Sequence, residues 1–216
     1  MENKKRSWDS VSALTIIGNK MENLETYIAF DLEFNTVDGV SHIIQVSAVK
    51  MDQHEEVDQF DSFVYSDVPL QSFINGLTGI TADKIAKAPK LESVLADFKS
   101  FVGDTPLIGY NALKSDLPIL SENGLDLEDQ YALDVFDEAF DRRASDLNGI
   151  VNLKLTSVAE FFGIKGHGHN SLEDARMTAQ IYEKFLELDE NAKLLEQQEE
   201  VSNNPFAALG LGGLFD

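Results

Sequence analysis

Asp31 and Glu33 stand two residues apart in Tyr27-Ile28-Ala29-Phe30-Asp31-Leu32-Glu33-Phe34. The apolar run before them reads as a strand, in which side chains alternate faces. Ile28, Phe30 and Leu32 then point into one layer, and Asp31 and Glu33 point together to the other. Two carboxylates converging at a strand end seat a hard divalent cation such as Mg²⁺ or Mn²⁺; a strand ending in a polar turn would look the same. Two later stretches add polar groups. In Gly109-Tyr110-Asn111-Ala112-Leu113-Lys114-Ser115-Asp116-Leu117-Pro118, Ser115 or Asp116 suits a helix N-cap, and Pro118 is tolerated in a first turn. In His167-Gly168-His169-Asn170-Ser171-Leu172-Glu173-Asp174, Ser171-x-x-Asp174 matches a capping box. His169 lies in a glycine-flanked loop five positions before Asp174, so the loop can carry its imidazole past whatever the first helical turn faces. His167 is farther from that turn and is the lesser candidate.

The elements that must position these groups follow from periodicity. Residues 26–65 read as three strands: one ending at Asp31 and Glu33, one from Ile43 to Met51, and a short one from Phe60 to Tyr65. Asp38-Gly39 and the stretch Asp52 to Asp58 supply the turns, and such tight connections are most simply antiparallel. Leu91, Val94, Leu95, Phe98 and Phe101 or Val102 recur at helical spacing, and Gly103-Asp104 stops that helix. Pro106 to Tyr110 reads as a short buried strand. Leu117 and Leu120 begin a helix that Asn123-Gly124 ends, and Tyr131 to Val135 reads as a fifth strand. Helices follow near 136–147, 155–162 and 171–190. The pattern predicts a mixed sheet with helices packed on it.

The chain has 216 residues, 43% of them hydrophobic, enough for one domain and a tail. It has no cysteine, which excludes disulfides and thiolate metal sites. Lys4-Lys5-Arg6 precedes only a short, interrupted apolar stretch, so a soluble cytoplasmic protein is expected. The formal charge of −21 opposes an avid, sequence-independent grip on nucleic acid, which needs a basic surface. It favours cations. Glu187 to Glu200 carries six acids against one lysine. From about Leu188 the chain reads as a helix extension leading into a flexible tail.

A strand-end Asp-x-Glu, an Asp opening a middle helix and a His-x4-Asp opening a late helix, in that order, resemble the DEDDh (DnaQ-like) family of 3′→5′ exonucleases, which includes the proofreading subunits of bacterial replicative polymerases. The resemblance covers roughly residues 26–188. Asp31 and Glu33 match the first motif, Asp116 the second, and His169 and Asp174 the third. Asn75 to Thr81 is similar to the family's loop after the third strand, and Leu107 to Asn111 to the strand feeding the second motif. Tyr110 stands where the family usually has His, Ser115 where it has an aromatic, and Ser171 where a small Ala is common. Asn111 and Asp116 are one residue further apart than is typical.

The resemblance implies a ribonuclease H-like α/β fold: a five-stranded mixed sheet, its first three strands antiparallel, with helices on both faces. It divides the chain into an N-terminal extension (1–24), an exonuclease domain (25–188) and an acidic, flexible tail (189–216). It implies two Mg²⁺ or Mn²⁺ ions held by Asp31, Glu33, Asp116 and Asp174, with Asp31 bridging them and His169 as general base. It also implies that Leu32, Phe34, Thr36, Leu77 and Asn111 contact the terminal nucleotide. The expected activity is hydrolysis of phosphodiester bonds from 3′ ends, on single-stranded DNA, in proofreading or repair. An exonuclease of RNA or short oligoribonucleotides is the alternative, and a non-catalytic binding module recruited by its tail is an alternative of another class. Leu211 to Phe215 loosely resembles the Leu-Phe peptides that bind bacterial sliding clamps, without their usual Gln; a clamp or polymerase is the partner this suggests.

Overall fold

The computed structural model describes residues 22–127, 129–166 and 168–203. His167, most of the N-terminal extension and the Leu211 to Phe215 segment lie outside them. Strands β1 (Thr26–Val37), β2 (Val40–Asp52), β3 (Glu55–Phe63), β4 (Leu107–Gly109) and β5 (Ala132–Asp134) form one sheet in the order β3-β2-β1-β4-β5. The first three are antiparallel, whereas β4 and β5 run parallel to β1.

The helices are α1 (Ile74–Thr78), α2 (Ala82–Ile85), α3 (Leu91–Val102), α4 (Asp116–Glu122), α5 (Val135–Asp141), α6 (Leu155–Phe161) and α7 (Ser171–Asn203), with a 3₁₀ turn at Arg142–Ala144. They cover both faces of the sheet. Strand alternation sends Tyr27 and Ala29 into a core with Tyr182 and Phe185 of α7, and Ile28, Phe30 and Leu32 into a second core with Val94 and Phe98 of α3 and Leu120 of α4. A smaller cluster of Ile44, Ile74, Ile80 and Ile85 seats α1 and α2. None of the described helices is long and apolar enough to cross a membrane.

Three boundaries differ from the sequence reading. β1 does not end at Glu33 but runs to Val37, because Asp38 and Gly39, with φ of 51° and 81°, make a two-residue hairpin turn to β2. β3 spans Glu55–Phe63 rather than Phe60 to Tyr65. Its first five residues are exposed and mostly polar, so they carry no apolar signal, and the turn narrows to Gln53 and His54, both at positive φ. The helix expected near 136–147 stops at Asp141 and gives way to the 3₁₀ turn.

The β1–β2 register places Asp31 opposite Ser47 and Glu33 opposite Gln45, then shifts between Glu33 and Phe34. Ile44 is the extra residue. The bulge breaks the alternation of β2, so Gln45 faces α7 while Ile43 joins the α3–α4 core and Ile44 drops into the smaller cluster.

Candidate metal centre

Asp31 and Glu33 leave β1 on the face covered by α7. The first turn of α7 brings Asp174 onto them, and ligand oxygens of Asp31, Glu33 and Asp174 lie within 4.8 Å of one another. Asp116, the first residue of α4, reaches the same corner from the other side. Its Oδ1 accepts the Leu32 N–H at 3.0 Å, which fixes it to the strand between the two β1 carboxylates. Asp116 and Asp174 are buried, at 6% and 8% exposure. Acidic groups separated by most of the chain thus share one corner of the sheet.

Charge is concentrated there against its own repulsion. Burial pushes the Asp31 carboxyl well above the usual range, with Asp116, Asp174 and Glu33 adding to the effect. Burial, then Asp174 and Asp116, push Glu33 up to about 7. Asp116 is pushed up to about 7 by burial, although the Leu32 amide and the Ser115 hydroxyl favour its charged form. Asp174 is raised by burial and drawn back by the His169 N–H and by the charge of His169. The His169 N–H donates to Asp174 Oδ2 at 2.9 Å, while Asp174 Oδ1 is buried with no hydrogen-bond partner among the described residues. An orphaned buried carboxylate oxygen beside two further carboxylates is costly unless a cation joins them. The donor set is all oxygen, so it fits a hard divalent ion.

The end of α7 that delivers Asp174 is built differently from the expected capping box. Asn170 is the cap: its Oδ1 accepts the Glu173 N–H at 3.1 Å, and its carbonyl accepts the Asp174 N–H. Ser171 is instead buried, and its hydroxyl meets Ser47 Oγ at 2.5 Å. Ser47 donates to Asp61 Oδ1 at 2.8 Å, so the proton shared by the two serines comes from Ser171. Gln45 Nε2 also donates to Asp61 Oδ1. A chain of hydrogen bonds therefore ties α7 to β2 opposite Asp31 and on to β3. Ser47 and Asp61 carry no sequence signal of their own; the register of β2 against β1 reveals them. Ser115 precedes α4 as expected but makes no side-chain cap.

His169 is exposed, with φ of 72°. Phe34 is half-buried against the α3–α4 core. Leu77, on α1, is 45% exposed. The Leu32 N–H is taken by Asp116, and Asn111 adopts a left-handed φ of 62°. Thr36 is exposed; its hydroxyl meets Ser41 Oγ at 3.0 Å and its carbonyl accepts the Gln71 side chain. Asn35, absent from the sequence candidates, is fully buried. It bonds Pro69 O and the Gln71 N–H, fastening the segment before α1 to β1 two residues beyond Glu33.

The model of the RNase_T family, described as an exonuclease family, matches residues 28–182. The chain is 33% identical over 207 residues to the PolC-type DNA polymerase III of Caldanaerobacter subterraneus, an alignment covering 88% of this chain and 14% of that protein. It is 39% identical over 89 residues to the PolC-type DNA polymerase III of Bacillus subtilis, covering 41% of this chain and 6% of that protein. The chain thus spans a small fraction of these relatives' length. Among solved structures, E. coli ExoI in complex with ssDNA superimposes with a TM-score of 0.63 at 19% identity, covering 74% of this chain and 40% of that one. A 3′-exonuclease that recognises the histone mRNA stem-loop gives a TM-score of 0.60 at 21% identity, covering 76% and 64%. These structures share the ribonuclease H-like sheet. The converging carboxylates and the family match over most of the domain agree: the chain belongs to the RNase_T family of DnaQ-like 3′→5′ exonucleases.

Proposed function

We propose that this chain shortens nucleic acid from its 3′ end by cation-assisted hydrolysis of phosphodiester bonds, with single-stranded DNA as its substrate class and proofreading or repair as its setting. The observation that carries the reading is the convergence of Asp31, Glu33 and Asp174 within 4.8 Å, with a buried oxygen of Asp174 left without a donor. Asp31, Glu33 and Asp174 would hold one Mg²⁺ or Mn²⁺, and Asp31 with Asp116 a second. Bound there, such ions supply an activated water and neutralise charge on the leaving oxygen. His169 takes the proton of the attacking water; histidine is the side chain whose charge changes near neutral pH.

Phe34 stacks on the terminal base, a contact that tolerates any sequence. Leu77 wedges beside it, and Leu32, Thr36 and Asn111 flank the terminal nucleotide. The net charge of −21 argues that the strand is gripped locally at its end rather than along its length. DNA as the substrate is supported by the relatives named as DNA polymerases and by the neighbour solved with ssDNA. The neighbour named for histone mRNA favours RNA as the second reading.

Digestion of 5′-labelled single-stranded DNA, RNA, blunt duplex and dinucleotides, each with Mg²⁺ and with Mn²⁺, tests this. The expected result is a ladder receding from the 3′ end of single-stranded DNA only when a cation is present. Faster loss of RNA would replace the substrate. Equal rates on blunt duplex, or no cleavage with either ion, would overturn the reading.

A further inference from the structure

Asp134 closes β5 and is buried at 5% exposure, close enough to Asp116 for its charge to be felt there. Its carboxylate accepts three backbone N–H groups. Oδ1 takes Asn111 at 2.7 Å and Phe136 at 3.0 Å, and Oδ2 takes Leu113 at 3.1 Å. The Phe136 bond caps α5. The other two reach into the turn that leads from β4 to α4. That turn is tight. A Cβ on Gly109 would lie 2.3 Å from Ala112 Cβ, and the Ser115 and Leu117 amides fold back onto Asn111 O and Ala112 O. Asn111 holds a φ of 62°, a region that costs a non-glycine residue energy unless its surroundings impose it. Asp116 begins α4 one residue beyond the turn.

We propose that Asp134 is the positioning residue for Asp116: by accepting the Asn111 and Leu113 amides it holds Asn111 left-handed and so aims the Asp116 carboxylate at the Asp31 corner. This rests on the cation reading of the centre. Both oxygens are used as acceptors, so the arrangement needs a carboxylate. An amide of the same shape would turn an NH₂ against an amide N–H and break one side of the clamp. Removing the support of a cation ligand typically weakens cation affinity by about 10- to 100-fold.

The test is the midpoint of Mn²⁺ binding to the full chain, followed at a fixed temperature by the loss of the free-Mn²⁺ EPR signal. In Asp134→Asn this midpoint rises about 10-fold, while Asp137→Asn, which removes a neighbouring charge and the exposed pair with Lys114 but keeps all three Asp134 hydrogen bonds, leaves it in place. Adding Asn111→Gly to Asp134→Asn brings the midpoint back toward wild type, because glycine adopts the turn without a clamp. A loss of stability alone would lower melting in every buffer without moving the midpoint. An unmoved midpoint in Asp134→Asn overturns the proposal. So does a shift that Asn111→Gly fails to rescue, since Asp134 would then act through its charge. If Asp134→Asn does not fold, Asn111→Ala carries the test and must raise the midpoint; no rise sinks the idea. A wild-type protein that binds no Mn²⁺ at all would instead defeat the cation reading itself.

Discussion

The starts of α4 and α7 each bring a buried carboxylate to Asp31, and they hold it in different ways. Asp116 is bonded to the Leu32 amide, inside the strand that carries Asp31, so it moves with that strand. Asp174 rides on a helix that packs on the sheet through Tyr182 and Phe185 and is tied to it near its start by the Ser171–Ser47 pair and by Arg176 on Glu56; one of its oxygens takes the His169 amide and the other has no partner among the described residues. One carboxylate is part of the frame. The other is delivered to it and is incomplete without a further partner. A centre built this way has one carboxylate bonded into the strand and one with an oxygen left over for a cation.

Asp31 belongs to both halves, so its loss has the largest effect. Asp31→Ala is expected to cut cation-dependent hydrolysis by more than about 100-fold, beyond what loss of an outer support costs. In chelator its melting temperature is expected not to fall, because a mutually repelling carboxyl has been removed. Hydrolysis at the wild-type rate would remove Asp31 from the centre. The next effect separates the helices. Asp174→Asn is expected to abolish the cation-induced rise in melting temperature, and Asp116→Asn to keep part of it; equal losses would erase the distinction drawn between fixed and delivered ligands.

The pH dependence of the cation-free protein sharpens the same contrast. Glu33 and Asp116 are pushed up to about 7, and Asp31 is raised as well, whereas unfolded carboxyls titrate near pH 4. Between about pH 4 and 7 the folded state therefore binds more protons than the unfolded one, and stability falls as pH rises. That stabilisation is present at the acid end of the window and is lost as pH passes about 7. Melting in chelator is expected at a lower temperature at pH 8 than at pH 5.5, and saturating Mg²⁺ should flatten the difference. A melting temperature that climbs with pH in chelator would contradict the burial of charge at this corner. The smallest effect is at the serine pair. Ser171→Ala is expected to cost about 1 kcal/mol by denaturant unfolding, and Ser47→Ala more, because it strands the Ser171 hydroxyl and also removes one of the two donors to Asp61 Oδ1. Equal costs would mean that the bond carries no directional chain.

The carboxylates were legible in sequence because their spacing coincides with backbone geometry. Period two puts Asp31 and Glu33 on one face, and helix starts attract Asp116 and Asp174. α3 was readable from its apolar stripe. What sequence concealed was pairing. A single exposed Val57 does not mark Glu55 to Gln59 as strand, because an exposed edge carrying Glu55, Glu56 and Asp58 is made of charges that discourage further pairing. Asn35 and Thr36 look like turn residues, yet Asn35 is buried because its amide serves the backbone of Pro69 and Gln71. Asn170 took the capping role from Ser171 because Ser171 faces β2, a fact fixed only by how the helix docks.

The hairpin of β1 and β2 closes through a two-residue turn, so it can form from neighbouring residues alone. The carboxylate cluster cannot, because Asp174 enters with α7. Long-range contacts of this kind come late, after the loop entropy of the intervening chain has been overcome. A nascent or clipped chain lacking α7 carries Asp31, Glu33 and Asp116 but not Asp174, so the carboxylate cluster is completed only when α7 docks.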